Sequence, residues 1–380
     1  MPEYRAPGVY IEEIGSGLRT IEGVSTSTAG FVGETERGPS APTLVTSWTE
    51  FEQIFGGHLD RPPLNRTDTI FLPYAVNGFF DNGGRRLFVA RVSHGGVQTA
   101  LASLMAIRDV SIVAAPDEVV VSGLRDAVID ACAAQKDRFA ITCANAGLAN
   151  TAGLFPPRDT SYAAFYHPWI RVAAPHTRDG HRLVPPVGHL AGIYARVDIE
   201  RGVHKAPASE IVRGIVTRDP AGDVAPLEFT IGRHEQDLLN PRGVNVIRDF
   251  RSTGQGVLVW GARTMAADAV WKYINVRRLF IFIEQSIARG LEWTIFEHNA
   301  EKTWNAVRTV IGNFLTTLWR NSALAGTKAE EAFFITCDRT TITQNDIDNG
   351  RLVCEVGVAP VKPAEFVIIR FTQKTLDAAS

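Results

Sequence analysis

The residues best suited by type to do chemistry are a histidine run, two carboxylate pairs and four cysteines. His176 and His181 flank Asp179 in PHTRDGHRL, and His189 follows. Histidine and aspartate side chains at that spacing could hold a metal ion. The competing reading is a polar surface loop, and no cysteine or rigid helical pair supports a ligand set. His204, in RGVHKAPASE, reads as a turn or interface residue. Glu12 and Glu13 are adjacent on a β-prone run, where neighbouring side chains point to opposite faces, so they cannot act together on one substrate. Glu330 and Glu331 fall at a helix start, where a carboxylate complements the dipole. Cys132, Cys143, Cys337 and Cys354 form no CxxC pair and sit in apolar stretches. They read as buried free thiols in a reducing compartment.

Motifs that would organise such residues into a catalytic site are absent. No lysine follows a glycine, so the phosphate-cradling loop of nucleotide hydrolases cannot form. There is no G-x-G-x-x-G opening a helix, no G-x-S-x-G elbow and no H-E-x-x-H. Six tryptophans (Trp169, Trp260, Trp271, Trp293, Trp304 and Trp319) lie on apolar faces of predicted elements and read as core or interface. No cofactor and no metal is expected.

The chain has 380 residues, 45% hydrophobic and 21% charged, with a net charge of −2. That balance lacks the basic excess of a dedicated nucleic-acid or anionic-membrane binder. The basic residues are mostly arginine, which suits interface ion pairs; a GC-rich genome gives the same bias. No apolar leader opens the sequence and no uncharged apolar run reaches the length of a membrane span, so neither a signal peptide nor membrane insertion is expected. The length suits two domains, or one large α/β domain with extensions.

The elements that would position any site are legible in part. TAGFVGE, RRLFVARV, VSIVAAP, RFAITC, PWIRVAAP and QGVLVWG read as strands. SWTEFEQIFGG reads as a helix capped by Ser47 with Glu50 and stopped by Gly56 and Gly57. TIFLPYAVNGFFDNGG and SGLRDAVIDACAAQ are further helices. The strand–helix–strand order over residues 110–143 implies a parallel pair. Residues 144–165 read as a surface loop and residues 175–245 as irregular, being rich in Pro, Gly and His. Two long helices follow, near 267–289 and 300–321, with apolar stripes at Val276, Phe280, Ile283, Ile287 and at Trp304, Val307, Ile311, Phe314, Leu318. Asn299 is the expected cap of the second. AFFITC and RLVCEVGVA are strands, PVKP breaks the chain, and AEFVIIRFTQK is a terminal strand. The fold class is therefore α/β (α+β): a mixed sheet flanked by helices, with extended strands at both ends.

Those ends carry the informative pattern. Residues 1–24 are punctuated by Pro and Gly around the β-prone VYIEEI, and a lone strand must pair with some sheet. Extended, 24 residues reach on the order of 80 Å, against a radius of gyration of roughly 21 Å for a compact chain of this length. Either end can complete the chain's own sheet or add to another molecule's, and spacing alone does not choose.

Long segments of the sequence resemble contractile-tail sheath proteins of phages, R-type pyocins and phage-like injection particles. They include APGVYIEEI, GVSTSTAGFVGETERGP, AVNGFFDNGGRRLFVARV, VPPVGHLAGIYARVDIERGVHKAPASE, LNPRGVNVIRDF, YINVRRLFIFIEQSI and GVAPVKPAEFVIIRFTQ. They run in the family's order over nearly the whole chain. No long insertion separates them, which suggests a compact member. The resemblance implies a homo-oligomer: stacked six-membered rings in a helical stack around an inner tube protein, bounded by baseplate and tail-terminator proteins. It implies assembly in the bacterial cytoplasm, contraction that drives the tube through a target envelope, and no enzymatic activity. Residues 1–24 and 363–380 would be linker arms, with Tyr10, Ile11, Ile14, Leu18, Ile21 and Val24 in one and Phe366, Val367, Ile368, Ile369 and Phe371 in the other. Residues 25–362 would be the core, with the acceptor sheet and tube-facing helices in 255–362. Arg277 and Arg278 are the expected charges toward the tube or a neighbour. The alternatives are another tail component, such as a tube or baseplate protein, or a cytosolic α/β enzyme.

Overall fold

The apolar strands of the first 285 residues are too continuous for a sheet with one wet face, and the structure covers both faces with helices. A computed structural model describes residues 20–58, 70–92, 96–149, 151–175, 177–219 and 222–365. In chain order the elements begin with β1 (Ala29–Gly33), β2 (Thr43–Val45), α1 (Trp48–Phe55), α2 (Leu72–Asp81), β3 (Leu87–Arg91), α3 (Val97–Met105), β4 (Ile112–Ala114), α4 (Leu124–Gln135) and β5 (Phe139–Cys143). There follow β6 (Ala163–His167), β7 (Ile170–Ala173), β8 (His181–Val184), α5 (Val187–Arg201), β9 (Glu210–Ile211), β10 (Arg218–Asp219), β11 (Gly222–Asp223), α6 (Arg233–Leu239), β12 (Val244–Asp249) and β13 (Val257–Trp260). The rest is α7 (Ile274–Gly290), α8 (Glu301–Arg320), α9 (Ala329–Ala332), β14 (Phe333–Thr336), α10 (Gln344–Asp348) and β15 (Glu355–Val358).

The chain divides inside α7, between Gln285 and Ser286. A larger unit comprises residues 23–285 with 360–365, and a smaller one residues 20–22 with 286–359.

The larger unit is a three-layer sandwich. Its nine-stranded sheet has the order β2-β3-β1-β4-β5-β6-β12-β13-β9. The six strands from β3 to β12 run parallel, and antiparallel strands close both edges. The pair β4–β5 flanking α4 confirms the parallel unit expected over 110–143. Side chains alternate between two cores: Phe31, Val89, Ile112 and Ile141 join the layer with α1, α2 and α5, whereas Val32, Ala90, Val113 and Ala140 join α3, α4 and α6. Burial of that many aliphatic side chains, at roughly 1.5–3 kcal/mol each, is the dominant stabilisation. At the start of α1, Ser47 Oγ accepts the Glu50 N–H at 3.2 Å as expected; the Glu50 carboxylate reaches back to the Thr46 N–H at 2.7 Å, one residue beyond the expected box.

Several stretches depart from expectation: residues 163–165, read as loop, open the central strand β6, and α7 begins at Ile274 rather than near 267. Residues 187–201, read as part of an irregular stretch, form the helix α5, embedded in the core up to its last turn. Its residues from Val187 to Asp198 are all buried, so it has no polar face and no amphipathic period to detect. Gly188 and Gly192 allow it to lie directly on α2: an added Cβ would come within 2.3 Å of the Ala75 and Phe79 carbonyl oxygens respectively. The Gly and His content that suggested a loop is what a close helix crossing requires.

The smaller unit is built on α8, which buries Trp304, Val307, Ile311 and Phe314 on the expected stripe. Asn299 does not cap it. Ala300 occupies that position, while Asn299 accepts from the Trp304 indole at 2.8 Å and donates to the Arg351 carbonyl at 2.9 Å.

Candidate assembly interface

The last strands of the described chain form a small sheet of their own. β14 and β15 pair antiparallel, from Phe333↔Val358 to Thr336↔Glu355, and form a sheet of two strands only among the described residues. Two strands alone are marginal in water. This pair leans on α8, where Ile335 packs over Gly312. Register places Phe334 opposite Gly357, whose missing side chain leaves room for the ring: a Cβ there would lie 2.1 Å from it. Phe334 is 58% exposed, an apolar group on the sheet's open side. Each strand therefore offers an outer row of N–H and C=O groups to which another strand can bond.

Near the C-terminal end, residues 361–365 are held on the larger unit by a carboxylate clasp. Glu365 Oε1 accepts from Arg263 Nε and Asn240 Nδ2, both at 2.8 Å, and Oε2 accepts from an Arg263 terminal nitrogen at 2.7 Å and the Tyr273 hydroxyl at 3.2 Å. These donors, the bidentate Arg263 foremost, hold the Glu365 carboxyl below its ordinary value although partial burial opposes them. Arg263 is itself fixed: its N–H and C=O both bond the side chain of the buried Asn245. Asn275 adds a bond to the Val361 carbonyl at 3.2 Å. The clasp borders a cavity of about 960 Å³ lined in part by Arg201, Lys205, Arg233, Arg248, Trp260 and Lys362. Of the expected C-terminal arm, 363–365 are thus bound to the larger unit. Phe366, Val367, Ile368, Ile369 and Phe371 lie outside the described residues.

At the other end, Tyr10, Ile11, Ile14 and Leu18 also lie outside the described residues. Residues 20–25 carry no strand. Ile21 is buried instead, lying over Gly290 at the end of α7, where an added Cβ would come within 2.5 Å of it. Val24 is half-buried.

Arg277 and Arg278 require a correction, since neither presents a free charge. Arg278 is 4% exposed and makes a bidentate bond to Asp198 at 2.9 and 2.6 Å, with a further bond to the Thr26 carbonyl at 2.9 Å. Arg277 is 5% exposed, lies 3.4 Å from the Trp271 ring centroid and bonds Ser161 and the Tyr162 hydroxyl. Burial lowers the Arg277 pKa. A paired arginine on a buried helix face is indistinguishable in sequence from an exposed one, because its partner Asp198 is 80 residues away.

The place where a doubly wound sheet normally takes a ligand is filled by the chain itself. Strand order reverses at β1, so the switch point lies at the carboxyl ends of β1 and β4. There the buried Asp117 accepts the N–H groups of Glu34, Phe71 and Leu72 at 2.8, 2.6 and 3.2 Å, the last two opening α2. A carboxylate of the protein occupies the anion position of that helix N-terminus. Desolvation still pushes the Asp117 carboxyl up to about 7, against the lowering effect of the backbone donors. The next residue, Glu118, is also buried and bonds the Cys143 N–H at 2.8 Å. Sequence reasoning did not single out either residue; the signal available was an acidic pair directly after a buried strand. Among the described residues no group of His, Cys, Asp and Glu could hold a metal ion. His189 sits inside α5 against Gly78, and His181 on β8 beside Arg171. His176 is outside the described residues.

A doubly wound body with its switch point filled by its own chain, and a helix-backed hairpin of two strands among the described residues, define the class of fold to compare. The family models for the phage tail sheath protein central domain and the phage tail sheath C-terminal domain match residues 92–265 and 266–374. The helical sheath of the anti-feeding prophage, solved in its contracted state, is 33% identical, with a TM-score of 0.78 over 98% of this chain and 100% of that one. The sheath complex of an extracellular contractile injection system, PVC, also contracted, is 30% identical at a TM-score of 0.78, covering 98% and 99% of the two chains. The tail sheath protein of Vibrio phage KVP40 is 29% identical over 201 residues, 53% of this chain and 28% of that protein's length. The chain spans about a quarter of the length of such phage relatives, as with the tail sheath protein of Enterobacteria phage T4, where the match covers 27%. The chain belongs to the contractile tail sheath family. No helix among the described residues is long and apolar enough to cross a membrane.

Proposed function

We propose that this chain is a sheath subunit that polymerises with copies of itself around an inner tube and contracts to drive that tube through a target envelope. The observation that carries the reading is the β14–β15 hairpin, which has two strands and open edges in a chain whose full length matches sheaths solved in the contracted state. Strands from the two terminal arms, residues 1–24 and 363–380, add to that hairpin on neighbouring copies. The run Tyr10–Ile14 serves at one end and Phe366–Phe371 at the other. Each backbone bond contributes roughly 0.5–1.5 kcal/mol net, so four per strand give about 2–6 kcal/mol per linkage. Such links persist while weaker side-chain contacts between bodies rearrange between two packings.

Six-membered rings are supported by the match to a baseplate solved with sixfold symmetry, where the likeness is 32% identical at a TM-score of 0.75. That match also gives the second reading, a position at the junction with the baseplate. Baseplate, tail-terminator and tube proteins complete the partners, with assembly in the bacterial cytoplasm. The filled switch point supports a non-enzymatic role.

Deletion of residues 1–17 tests the reading. Electron microscopy of the intact chain is expected to show rings or helical tubes. The deleted chain is expected to remain a folded, soluble monomer. Polymers that survive the deletion unchanged would overturn the arm assignment.

A further inference from the structure

The β14–β15 ladder ends at Thr336↔Glu355, and extending its register by one step sets Cys337 opposite Cys354. The Ala359 N–H donates to the Ala332 carbonyl at 2.8 Å, which makes 332/359 a hydrogen-bonded pair of the ladder. Alternation along an antiparallel ladder then assigns 333/358, 335/356 and 337/354 to the non-hydrogen-bonded class. Opposed Cα atoms in that class are about 4.5 Å apart, within the roughly 4.4–6.8 Å range that a disulfide spans. The segment between the cysteines is already folded back: the Thr341 hydroxyl bonds the Asp338 and Val353 carbonyls, and Thr343 with Asp346 caps α10. Cys337 is buried and Cys354 half-buried, so one sulfur is open to a reagent and the other waits beneath it.

We propose that Cys337 and Cys354 form a redox-controlled staple across the base of this hairpin, open as two thiols in a reducing cytoplasm and closed as a disulfide in an oxidising milieu. The oxidant is a low-molecular-weight disulfide such as oxidised glutathione. The Cys354 thiolate attacks one glutathione sulfur, the glutathione S–S bond breaks, and one glutathione leaves as a thiolate that takes up a proton. Cys337, losing its proton, then attacks the Cys354 sulfur of the mixed disulfide and expels the second glutathione. Two cysteine thiols are oxidised to one disulfide while one glutathione disulfide is reduced to two thiols. Burial raises both cysteine pKa values, with Cys354 pushed up to about 12; Arg308 on α8 pulls both down and Asp338 pushes Cys337 up. The thiolate is therefore scarce near neutrality and closure is slow there, which keeps the staple open during assembly. The consequence for sheath links rests on the reading of β14–β15 as the arm acceptor: closure fixes the two edges that the arms bond.

The test uses the full chain, reduced with dithiothreitol and then exposed to oxidised glutathione at about pH 8.5. Peptide mapping without reduction is expected to find Cys337 joined to Cys354, with two of the four thiols lost from titration in denaturant. Amide exchange across 333–336 and 355–358 should slow on the order of tenfold. The Cys337→Ser chain should stop at a glutathione adduct on Cys354. A stable adduct in the unsubstituted chain with Cys337 still free, or Cys354 linked to a second chain, would overturn the staple. The acceptor reading fails separately: a mapped disulfide in a polymer whose arms cross-link elsewhere than β14–β15 would refute that reading and leave the staple standing.

Discussion

The two units solve the same problem in opposite ways. In the larger unit the central buried groups are answered from within: Arg278 by Asp198, Asn245 by Arg263 and Phe165, and the open α2 amides by Asp117. The smaller unit leaves, among the described residues, a two-stranded hairpin with no further strand on its edges and an exposed Phe334. The first arrangement gives a body that can move as one piece. The second is the surface to which the proposed arms add their strands. Substitutions in the two units should fail in different ways.

The sharpest break is Arg278→Ala, which leaves Asp198 charged and buried without its partner. A cost of about 3–5 kcal/mol is expected, read as a lower denaturant midpoint of the isolated chain. Gly192→Val should cost about 3 kcal/mol, because two helix backbones must part. Both losses should appear in the monomer, before any polymer forms. The third prediction concerns pH. Burial holds the His189 imidazole down at about 4, so the unfolded chain binds the proton first. Its contribution is complete above about pH 6.5 and is lost as pH falls toward 4, up to about 3 kcal/mol. Asp117 and Glu118, both raised to about 7, act in the opposite direction over the same window. The stability–pH slope of His189→Leu compared with the unsubstituted chain isolates the histidine.

Smaller effects on folding should accompany larger effects on assembly. Glu365→Ala removes the clasp at a cost of about 2 kcal/mol to the body. It should give polymers of irregular twist under the electron microscope, since the arm would no longer leave from a fixed point. The smallest change in stability, about 1 kcal/mol, is expected for Val356→Pro. Residue 356 is in the non-hydrogen-bonded class, so its N–H points away from β14 and its loss spares the hairpin ladder. If β15 is an arm acceptor, polymerisation falls most in this variant; unchanged polymer yield would place that arm elsewhere.

Much of the architecture was legible because local patterns sufficed. Ser47 with Glu50 marked α1, and the continuous runs around Phe31, Val89 and Ile141 marked strands buried on both faces. The stripe from Trp304 to Phe314 marked α8. α5 was illegible because a helix buried all round has no period to read. Arg277 and Arg278 were misplaced because burial of a charge depends on a partner distant in sequence. Asp117 was passed over because nothing local distinguishes a carboxylate that caps a helix 46 residues upstream.

The sequence by itself determined the family, many of the strands, the long helices and the lack of a recognisable catalytic motif. Those follow from residue order over a few turns or strands. Only the tertiary structure decided which groups are already answered: that α5 lies on α2 through two glycines, that the arginine pair is internal, that Glu365 is clasped by Arg263, and that Cys337 faces Cys354. Satisfaction of a polar group and vacancy of a strand edge depend on what the fold brings alongside, and residues far apart in the chain supply it.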